Sequence, residues 1–277
     1  MCYDVAVDDM TVGQPAPAAQ PETTTKPEQT IVSHHMMPAS PLITIILPVY
    51  NGEAFLAEAI ESVLQQPYRP VEIVVVNDGS TDGTAAIVQH YVDNERAPIV
   101  HHRQPNQGLP ASLNRGLALA AGEWITFIDA DDCWAGDKLA VQTAHLLADP
   151  TLAAVWGTTQ MFAGGDDSQG IMLGAPWHGT NLGSGLFRRS VFDRIGAFDV
   201  TLDHGEDLDW YLRLKSHAEL RQIKVAEIAL FYRYHGNNKW LGQPDALLQN
   251  LQVLRKHIGR QRAEAGSPSV TKGGLPA

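Results

Sequence analysis

Three continuous apolar runs constrain the fold of this chain more than any other feature. They cover residues 42–50, 71–76 and 124–128, and polar residues follow each of them. Unbroken hydrophobicity of this kind is typical of parallel strands that are buried on both faces. Between the first two runs, apolar residues from Phe55 to Leu64 recur at helical spacing. The chain is therefore predicted to be a single α/β domain with a mostly parallel central sheet flanked by helices.

The alternation of helices and strands continues beyond these runs. The predicted elements are, in order, a helix at 83–91, a strand at 99–101, a helix at 109–120, a helix at 138–147, a strand at 153–162, a helix near Val191, a helix at 206–215, a strand at 223–234 and an amphipathic helix at 246–257. We expect the last helix to pack on the domain rather than on lipid. The glycine-rich stretch 164–185 shows neither the 3.6-residue period of a helix nor the two-residue period of a strand. Loops that could hold an acceptor are therefore expected there.

The two ends of the chain differ from its middle. Residues 1–40 are rich in Pro, Thr, Gln and Ala and carry five acids against one base, Lys26. We expect a disordered leader that acts as a tether. The remainder is divided into a domain at 41–241, with a nucleotide-binding half (41–132) and an acceptor-binding half (133–241), a C-terminal helix at 242–262 and a flexible tail at 263–277.

The charge and the cysteine content limit which binding partners and which cellular compartment are expected. The formal net charge is -11, whereas nucleic acid and anionic lipid both require a basic surface. The charge therefore argues against a sequence-independent grip on either, and no nucleic-acid partner is expected. No apolar run approaches the roughly 20 residues that cross a bilayer, so no transmembrane segment is expected. The N-terminus has neither the basic region nor the apolar region of a signal peptide. Cys2 and Cys133 are too few for a disulfide scaffold. A cytoplasmic protein is expected, and peripheral association with a membrane is the alternative.

Carboxylates follow two predicted strands, at the edge of the sheet where α/β proteins bind ligands. Asp78 stands in a turn that two glycines permit, and a turn with capping residues and no ligand would explain it equally well. Asp129 and Asp131 follow the third apolar run, and residues two apart in an extended chain point the same way. Together they could hold one Mg²⁺ or Mn²⁺. Alternatively, these acids and Asp132 only cap the next helix.

Two further clusters are weaker when taken alone. Glu206 and Asp207 open a predicted helix, whose N-terminal dipole favours carboxylates. Surface helices often begin in this way. His235 ends the last predicted strand, and a single histidine is more often structural than a ligand.

In order and spacing, these clusters resemble the inverting family-2 glycosyltransferases of the GT-A fold over residues 43–238. The matching motifs are Pro48-Val49-Tyr50-Asn51, Asp78-Gly79-Ser80-Thr81-Asp82, Asn106-Gln107-Gly108, Asn114-Arg115-Gly116, Asp129-Ala130-Asp131-Asp132, Gly183-Ser184-Gly185, Glu206-Asp207 and Arg233-Tyr234-His235. Two positions depart from the family pattern. Asn77 replaces a frequent acid, and Leu113 stands where many relatives have arginine, so contacts to the donor could differ in detail.

The resemblance implies transfer of a sugar, expected to be a hexose, from a nucleotide-diphosphate donor such as a UDP-sugar, with inversion and with Mn²⁺ or Mg²⁺ as cofactor. The acceptor would be a glycan, lipid or peptide. Asp207 would be the catalytic base, and Asp131 and His235 would meet the metal. The implied donor-binding residues are Pro48, Tyr50, Asn51, Asp78, Asn106, Gly108, Asn114, Asp129, Ala130 and Asp131. The implied acceptor-binding residues are Gly183, Ser184, Gly185, Glu206 and Trp210.

Two other functions remain as alternatives. An aspartate-nucleophile phosphotransferase also places D-x-D after a buried strand. That chemistry usually has Thr or Val where Cys133 stands, and its strand is normally the first of the domain. A catalytically inactive nucleotide-binding protein would keep the fold and the site. A dinucleotide oxidoreductase is disfavoured, because Asn51-Gly52-Glu53 follows the first strand in place of G-x-G-x-x-G.

Overall fold

Parallel strands form the first half of the sheet. The structure is a computed structural model, and it describes residues 40–164, 170–235, 238 and 246–266. The strands of this half are β1 (Ile43–Val49), β2 (Val71–Asn77), β3 (Ile99–Arg103) and β4 (Trp124–Phe127). They lie in the order β3-β2-β1-β4, and every neighbouring pair is parallel. The strands that the apolar runs predict are therefore confirmed.

Helices cover both faces of the sheet at β1, β2 and β4, which is why these three strands are mostly apolar. The helices of this half are α1 (Leu56–Leu64), α2 (Thr84–Asp93) and α3 (Leu109–Leu119). Along β1, Ile45 and Leu47 belong to the apolar cluster that includes α1, whereas Ile46 belongs to the cluster that includes α3. All three side chains are fully buried. A side chain on the helical Gly116 would collide with Ile46, so glycine lets α3 approach the sheet closely.

The second half of the sheet mixes parallel and antiparallel pairs. Its strands are β5 (Cys133–Trp134), β6 (Leu152–Ala163), β7 (Ile171–Trp177), β8 (Gly185–Arg188) and β9 (Arg221–Tyr234). The order continues from β4 as β8-β6-β9-β5, and β7 pairs with the end of β6. Strand β8 is antiparallel to both of its neighbours, and β9 is parallel to β6. The helices of this half are α4 (Lys138–Ala148), α5 (Arg189–Ile195), α6 (Glu206–Ser216) and α7 (Ala246–Gly266).

Two expectations about this half are wrong. The stretch 164–185 is not all loop, because β7 and a 3-10 turn, Leu182–Ser184, lie within it. Most of β7 is exposed, so its sequence has no burial pattern to signal a strand. Helix α7 continues to Gly266, past the expected start of the flexible tail at 263. The expected leader at 1–39, the segment 241–245 and the rest of the tail at 267–277 lie outside the described residues.

None of the helices in the described part of the chain has both the length and the apolarity that crossing a bilayer requires.

The carboxyl ends of β1, β2 and β4 lie at one edge of the sheet. The segment that precedes α6 and the end of β9 meet them there, and a cavity lies between these elements.

Candidate active site

The cavity has a volume of about 690 Å³ and brings together most of the residues that the sequence singles out. Twelve of the seventeen predicted site residues line it: Pro48, Tyr50, Asn51, Asp78, Asn106, Gly108, Asp129, Ala130, Asp131, Glu206, Asp207 and His235. They come from segments as far apart in the chain as residues 48 and 235. Such convergence at the carboxyl ends of parallel strands is the usual origin of a ligand site in an α/β protein.

The other five predicted positions do not line the cavity. The Asn114 side chain donates to the Phe198 carbonyl at 2.9 Å and accepts from the Phe198 N–H at 2.8 Å. Trp210 is fully buried, with its ring stacked on Phe192. Gly183, Ser184 and Gly185 are buried behind Asn181, whose side chain accepts from the Gly183 N–H at 2.7 Å. These residues support the cavity walls from behind.

Asp78 anchors the loop that follows β3. Its Oδ1 accepts hydrogen bonds from Gln104 Nε2 and the Gln107 N–H, each at 2.9 Å, and its Oδ2 accepts one from the Gly108 N–H at 2.8 Å. Each carboxylate oxygen has two acceptor sites, so one site on Oδ2 stays available to a donor in the cavity. Asp78 therefore fixes the wall around Asn106 and also offers an acceptor of its own.

Tyr50 lines the same cavity and follows Val49, whose carbonyl accepts a hydrogen bond from the Asp78 N–H at 2.8 Å. Its side chain is 49% exposed. The next residue, Asn51, has a positive φ of 52° and accepts from the Thr81 N–H at 2.9 Å, while its own N–H donates to Ser80 Oγ at 2.9 Å. These bonds tie the end of β1 to the turn after β2. An accessible aromatic ring next to a carboxylate acceptor suits a flat heteroaromatic ligand.

The three acids after β4 point in two directions. Asp132 is 1% exposed, and its Oδ1 accepts from the Arg233 N–H at 2.9 Å. Burial raises the pKa of Asp132 well above its ordinary value, and the charges of Asp131 and Asp129 raise it further. Asp129 and Asp131 instead line the cavity. The predicted pair of carboxylates thus faces the cavity, while the third acid binds the end of β9 from the buried side.

Asp131 and His235 form a pair that fits a divalent cation. Asp131 Oδ2 and His235 Nε2 are 3.0 Å apart. Two neighbouring ligands in an octahedron with bonds of about 2.1 Å are separated by about 3.0 Å. Within the described residues, no group of three or more His, Cys, Asp or Glu side chains could hold a metal ion. Any cation bound here would therefore complete its coordination with ligand oxygens or water.

Arg233 holds this pair in place, although the sequence motif alone gave it no role. Its guanidinium carbon lies 4.7 Å from the centre of the Phe55 ring and 4.6 Å from that of Phe162. Its Nε donates to the Asp131 carbonyl at 2.8 Å, and an Nη donates to Glu58 Oε2 at 2.5 Å. The Phe55 ring also stacks on His235, with the ring centres 5.0 Å apart. Phe55 appeared in the sequence only as one member of a helical apolar stripe.

Asp207 lies in the first turn of α6. It lines the same cavity as the residues at the ends of β1 and β4. Its Oδ2 accepts from the Leu182 N–H at 3.2 Å. Burial raises the pKa of Asp207 well above its ordinary value, and the charges of Glu206 and Asp129 add to this effect. A carboxylate with a raised pKa binds a proton more readily at neutral pH, which is the property required of a general base.

Several cavity residues were not singled out from the sequence, although three of them lie in the stretch 164–185, where loops that could hold an acceptor were expected. They are Phe55, Trp177, Thr180, Asn181, Tyr232 and Asn250. Trp177 is 40% exposed, and an exposed tryptophan within a glycine-rich stretch is a usable signal for a binding surface. Tyr232 precedes the Arg233 motif by one residue and could have been included with it. Asn250 lies on α7, where its sequence context gives no indication of a site.

The fold defines a class of protein. It is similar to the mannosyltransferase PcManGT from Pyrobaculum calidifontis in complex with GDP-Man and Mn²⁺, with a TM-score of 0.61, 22% identity and coverage of 83% of this chain and 67% of that one. It is also similar to S. aureus TarS 1-349 in complex with UDP-GlcNAc, with a TM-score of 0.61, 20% identity and coverage of 78% and 65%. This is the GT-A glycosyltransferase fold, and the predicted fold class is confirmed.

Sequence comparison identifies the family. The model of glycosyl transferase family 2 matches residues 44–197, and the chain belongs to that family. Glycosyltransferase GlyA of Streptococcus pneumoniae serotype 4 is 43% identical over 229 residues, which are 82% of this chain and 31% of GlyA. An uncharacterized glycosyltransferase of Haemophilus influenzae is 42% identical over 107 residues, 39% of this chain and 43% of that protein. The chain thus spans less than half the length of these two relatives.

Proposed function

We propose that this protein transfers a hexose from a nucleoside-diphosphate sugar to an acceptor hydroxyl, with inversion and with Mn²⁺ or Mg²⁺ as cofactor. The observation that carries the proposal is the lining of one cavity by a base-sized aromatic and carboxylate pair, Tyr50 and Asp78, a candidate cation pair, Asp131 and His235, and a buried carboxylate, Asp207. Family membership supports the reaction class.

The proposed donor is a UDP-sugar. Tyr50 would stack on the base, and the open acceptor site on Asp78 would receive a base N–H. Asp129 would contact the ribose. TarS in complex with UDP-GlcNAc supports UDP as the first choice, whereas PcManGT is in complex with GDP-Man, so guanosine nucleotides are the second choice.

The proposed cation site is Asp131 with His235. A divalent cation there would neutralise the departing nucleoside diphosphate. The 3.0 Å separation of Asp131 Oδ2 and His235 Nε2 supports this assignment, as does the Mn²⁺ of the PcManGT complex. Arg233 and Phe55 would hold the two ligand side chains in position, which reduces the entropy lost when the cation binds.

The proposed base is Asp207, which would remove the proton of the acceptor hydroxyl. Glu206 would assist by keeping the pKa of Asp207 high. A single displacement from the side of Asp207 would invert the anomeric centre. The acceptor, a glycan, lipid or peptide, would lie against the walls formed by residues 177–181 and Asn250. We propose the cytoplasm as the compartment, since the two cysteines of the chain are too few for a disulfide framework.

Calorimetric titration of UDP with and without Mn²⁺ tests the proposal. We expect Mn²⁺-dependent binding by the unmodified protein and its loss in Asp131→Asn. The exposed Asp137 provides the matched control Asp137→Asn, which should bind normally. Asp207→Asn should bind UDP normally but lose transfer and donor hydrolysis. UDP binding without any turnover of donor sugars by the unmodified protein would indicate an inactive nucleotide-binding protein. A trapped phospho-aspartate at Asp129 would instead indicate a phosphotransferase.

A further inference from the structure

Helix α7 presents an apolar face to solvent. Four of its large apolar residues are exposed, namely Leu248 (56%), Leu251 (40%), Leu254 (40%) and Ile258 (46%). At 100° per residue their spacing of three, three and four places them on one side of the helix. Val253, on the opposite side, is fully buried and would contact any side chain at Gly205.

Two of the bases of α7 point toward the domain, in the opposite sense to the charged residues of an ordinary surface helix. Lys256 Nζ pairs with Asp199 Oδ2 at 3.0 Å, and Arg260 pairs with Asp209 Oδ1 at 2.6 Å, so both bases point toward the domain. Surface helices usually turn their apolar stripe to the core and their charges to water. Here ion pairs attach the helix to the domain, and much of its apolar surface remains outside.

Two more bases share the exposed side. Arg255 and Arg262 are exposed and are seven residues apart, so they project in nearly the same direction as the apolar side chains. The sequence of α7 contains a single acid, Glu264, in its last turn. Between residues 248 and 262 the exposed side therefore combines apolar and positively charged groups with no carboxylate.

We propose that this face binds the surface of an anionic lipid bilayer. Leucine and isoleucine side chains would enter the boundary between headgroups and acyl chains, and Arg255 and Arg262 would contact lipid phosphates. A second copy of the chain fits less well, because a two-fold interface pairs the same patch with itself. That pairing would bury both arginines against a face that offers them no carboxylate.

The overall charge helps to orient the protein on such a surface. The formal net charge of the whole chain is -11, so an anionic bilayer repels most of the molecule and attracts it only through a local basic patch. Asn250 of the same helix lines the cavity, so binding through α7 would bring the cavity to the membrane surface, where a lipid-linked acceptor would be held. This last consequence alone rests on the proposed function.

Flotation of the full chain with vesicles tests the proposal. Vesicles of roughly three parts phosphatidylcholine to one part phosphatidylglycerol should bind the protein, and phosphatidylcholine alone should bind it much less. Arg255→Gln/Arg262→Gln should weaken binding roughly 30-fold, because each arginine near an anionic surface contributes about 1 kcal/mol. Leu251→Ser should weaken binding about tenfold through lost apolar burial.

Matched variants separate this face from a general surface effect. Leu147→Ser removes a leucine that is 57% exposed on α4, and Arg96→Gln/Arg194→Gln removes two exposed arginines elsewhere. Both controls should bind vesicles as the unmodified protein does. The proposal is overturned if the unmodified protein does not float with anionic vesicles, or if the controls lose as much binding as the α7 variants. It is also overturned if light scattering shows a dimer that Leu251→Ser dissociates. UDP titration of the same samples reports separately on the proposed function.

Discussion

Replacing Arg233 with lysine would test how the cavity holds its candidate cation ligands. The guanidinium donates to the Asp131 carbonyl at 2.8 Å, to the Gly164 carbonyl at 3.1 Å and to Glu58 at 2.5 Å. It also lies between the rings of Phe55 and Phe162. The single ammonium of lysine cannot reach three separated acceptors, and it cannot stack as a plane.

The size of the effect follows from these contacts. Lysine would keep at most one of the three hydrogen bonds, and each lost bond costs about 1 kcal/mol of stability. Asp131 would lose its restraint directly, and His235 would lose part of its restraint because Phe55 loses a packing partner. Removing a group that orients a metal ligand typically lowers metal affinity roughly 10- to 100-fold. We therefore expect a 10- to 100-fold loss of Mn²⁺ affinity in the presence of UDP, with metal-free UDP binding almost unchanged.

Electron paramagnetic resonance of free Mn²⁺ during a titration measures this affinity directly. The matched control is Arg188→Lys. Arg188 also donates to two backbone carbonyls, those of Leu152 and Leu146 at 2.7 and 2.8 Å, and lies 5.8 Å from the Trp124 ring centre, but it does not line the cavity. The control should lose stability without losing Mn²⁺ affinity. Unchanged Mn²⁺ affinity in Arg233→Lys, or an equal loss in both variants, would refute the reasoning.

Three further changes test other parts of the structure. Gly79→Ala should cost about 1–3 kcal/mol of unfolding free energy, measured by urea denaturation, because Gly79 has a φ of +80° and its added Cβ would lie 2.8 Å from the Asn106 nitrogen. Lys138→Met should flatten the pH dependence of stability. Burial holds the pKa of Lys138 well below 10.5, so the unfolded chain binds the proton more readily and stability rises as the pH increases toward 10.5. Glu206→Gln should lower the pKa of Asp207, because the Glu206 charge raises it. The acidic limb of the kcat/KM profile for sugar transfer should then move to lower pH, and a limb that stays in place would argue against Asp207 as the base.

The parts of the fold that depend on local patterns were predictable. Strands β1, β2 and β4 are buried on both faces, so their sequences are predominantly apolar, and parallel strands place the residues that follow them at one edge. For this reason Asp78, Asp129 and Asp131 could be assigned to one site before any coordinates were known. The four predicted helices that have a clear apolar stripe before residue 150 were found within about three residues of their expected ends.

The parts that depend on distant contacts were not predictable. Glu58 and Arg233 are 175 positions apart, and nothing near either residue signals their ion pair. Trp210 and Asn114 occur where the family motifs suggest ligand contacts. In the structure the Trp210 ring stacks on Phe192, and the Asn114 side chain hydrogen-bonds to the backbone of Phe198. Such outcomes depend on which elements meet in three dimensions, and a sequence pattern with a period of two or 3.6 residues contains no information about that.

The two-residue strand β5 explains how the candidate cation pair forms. It pairs Cys133 with Phe231 and Trp134 with Leu230 in antiparallel register. Continued by two residues, the same register sets Asp131 opposite Arg233, in agreement with the hydrogen bond from the Arg233 side chain to the Asp131 carbonyl. A slip of one residue would reverse the faces of β9 at this point. Tyr234 would then take the place of Arg233, the arginine would no longer lie between Phe55 and Phe162, and His235 would be displaced from Asp131. The shortest strand of the sheet therefore sets the geometry of the part of the cavity to which we assign the proposed metal site.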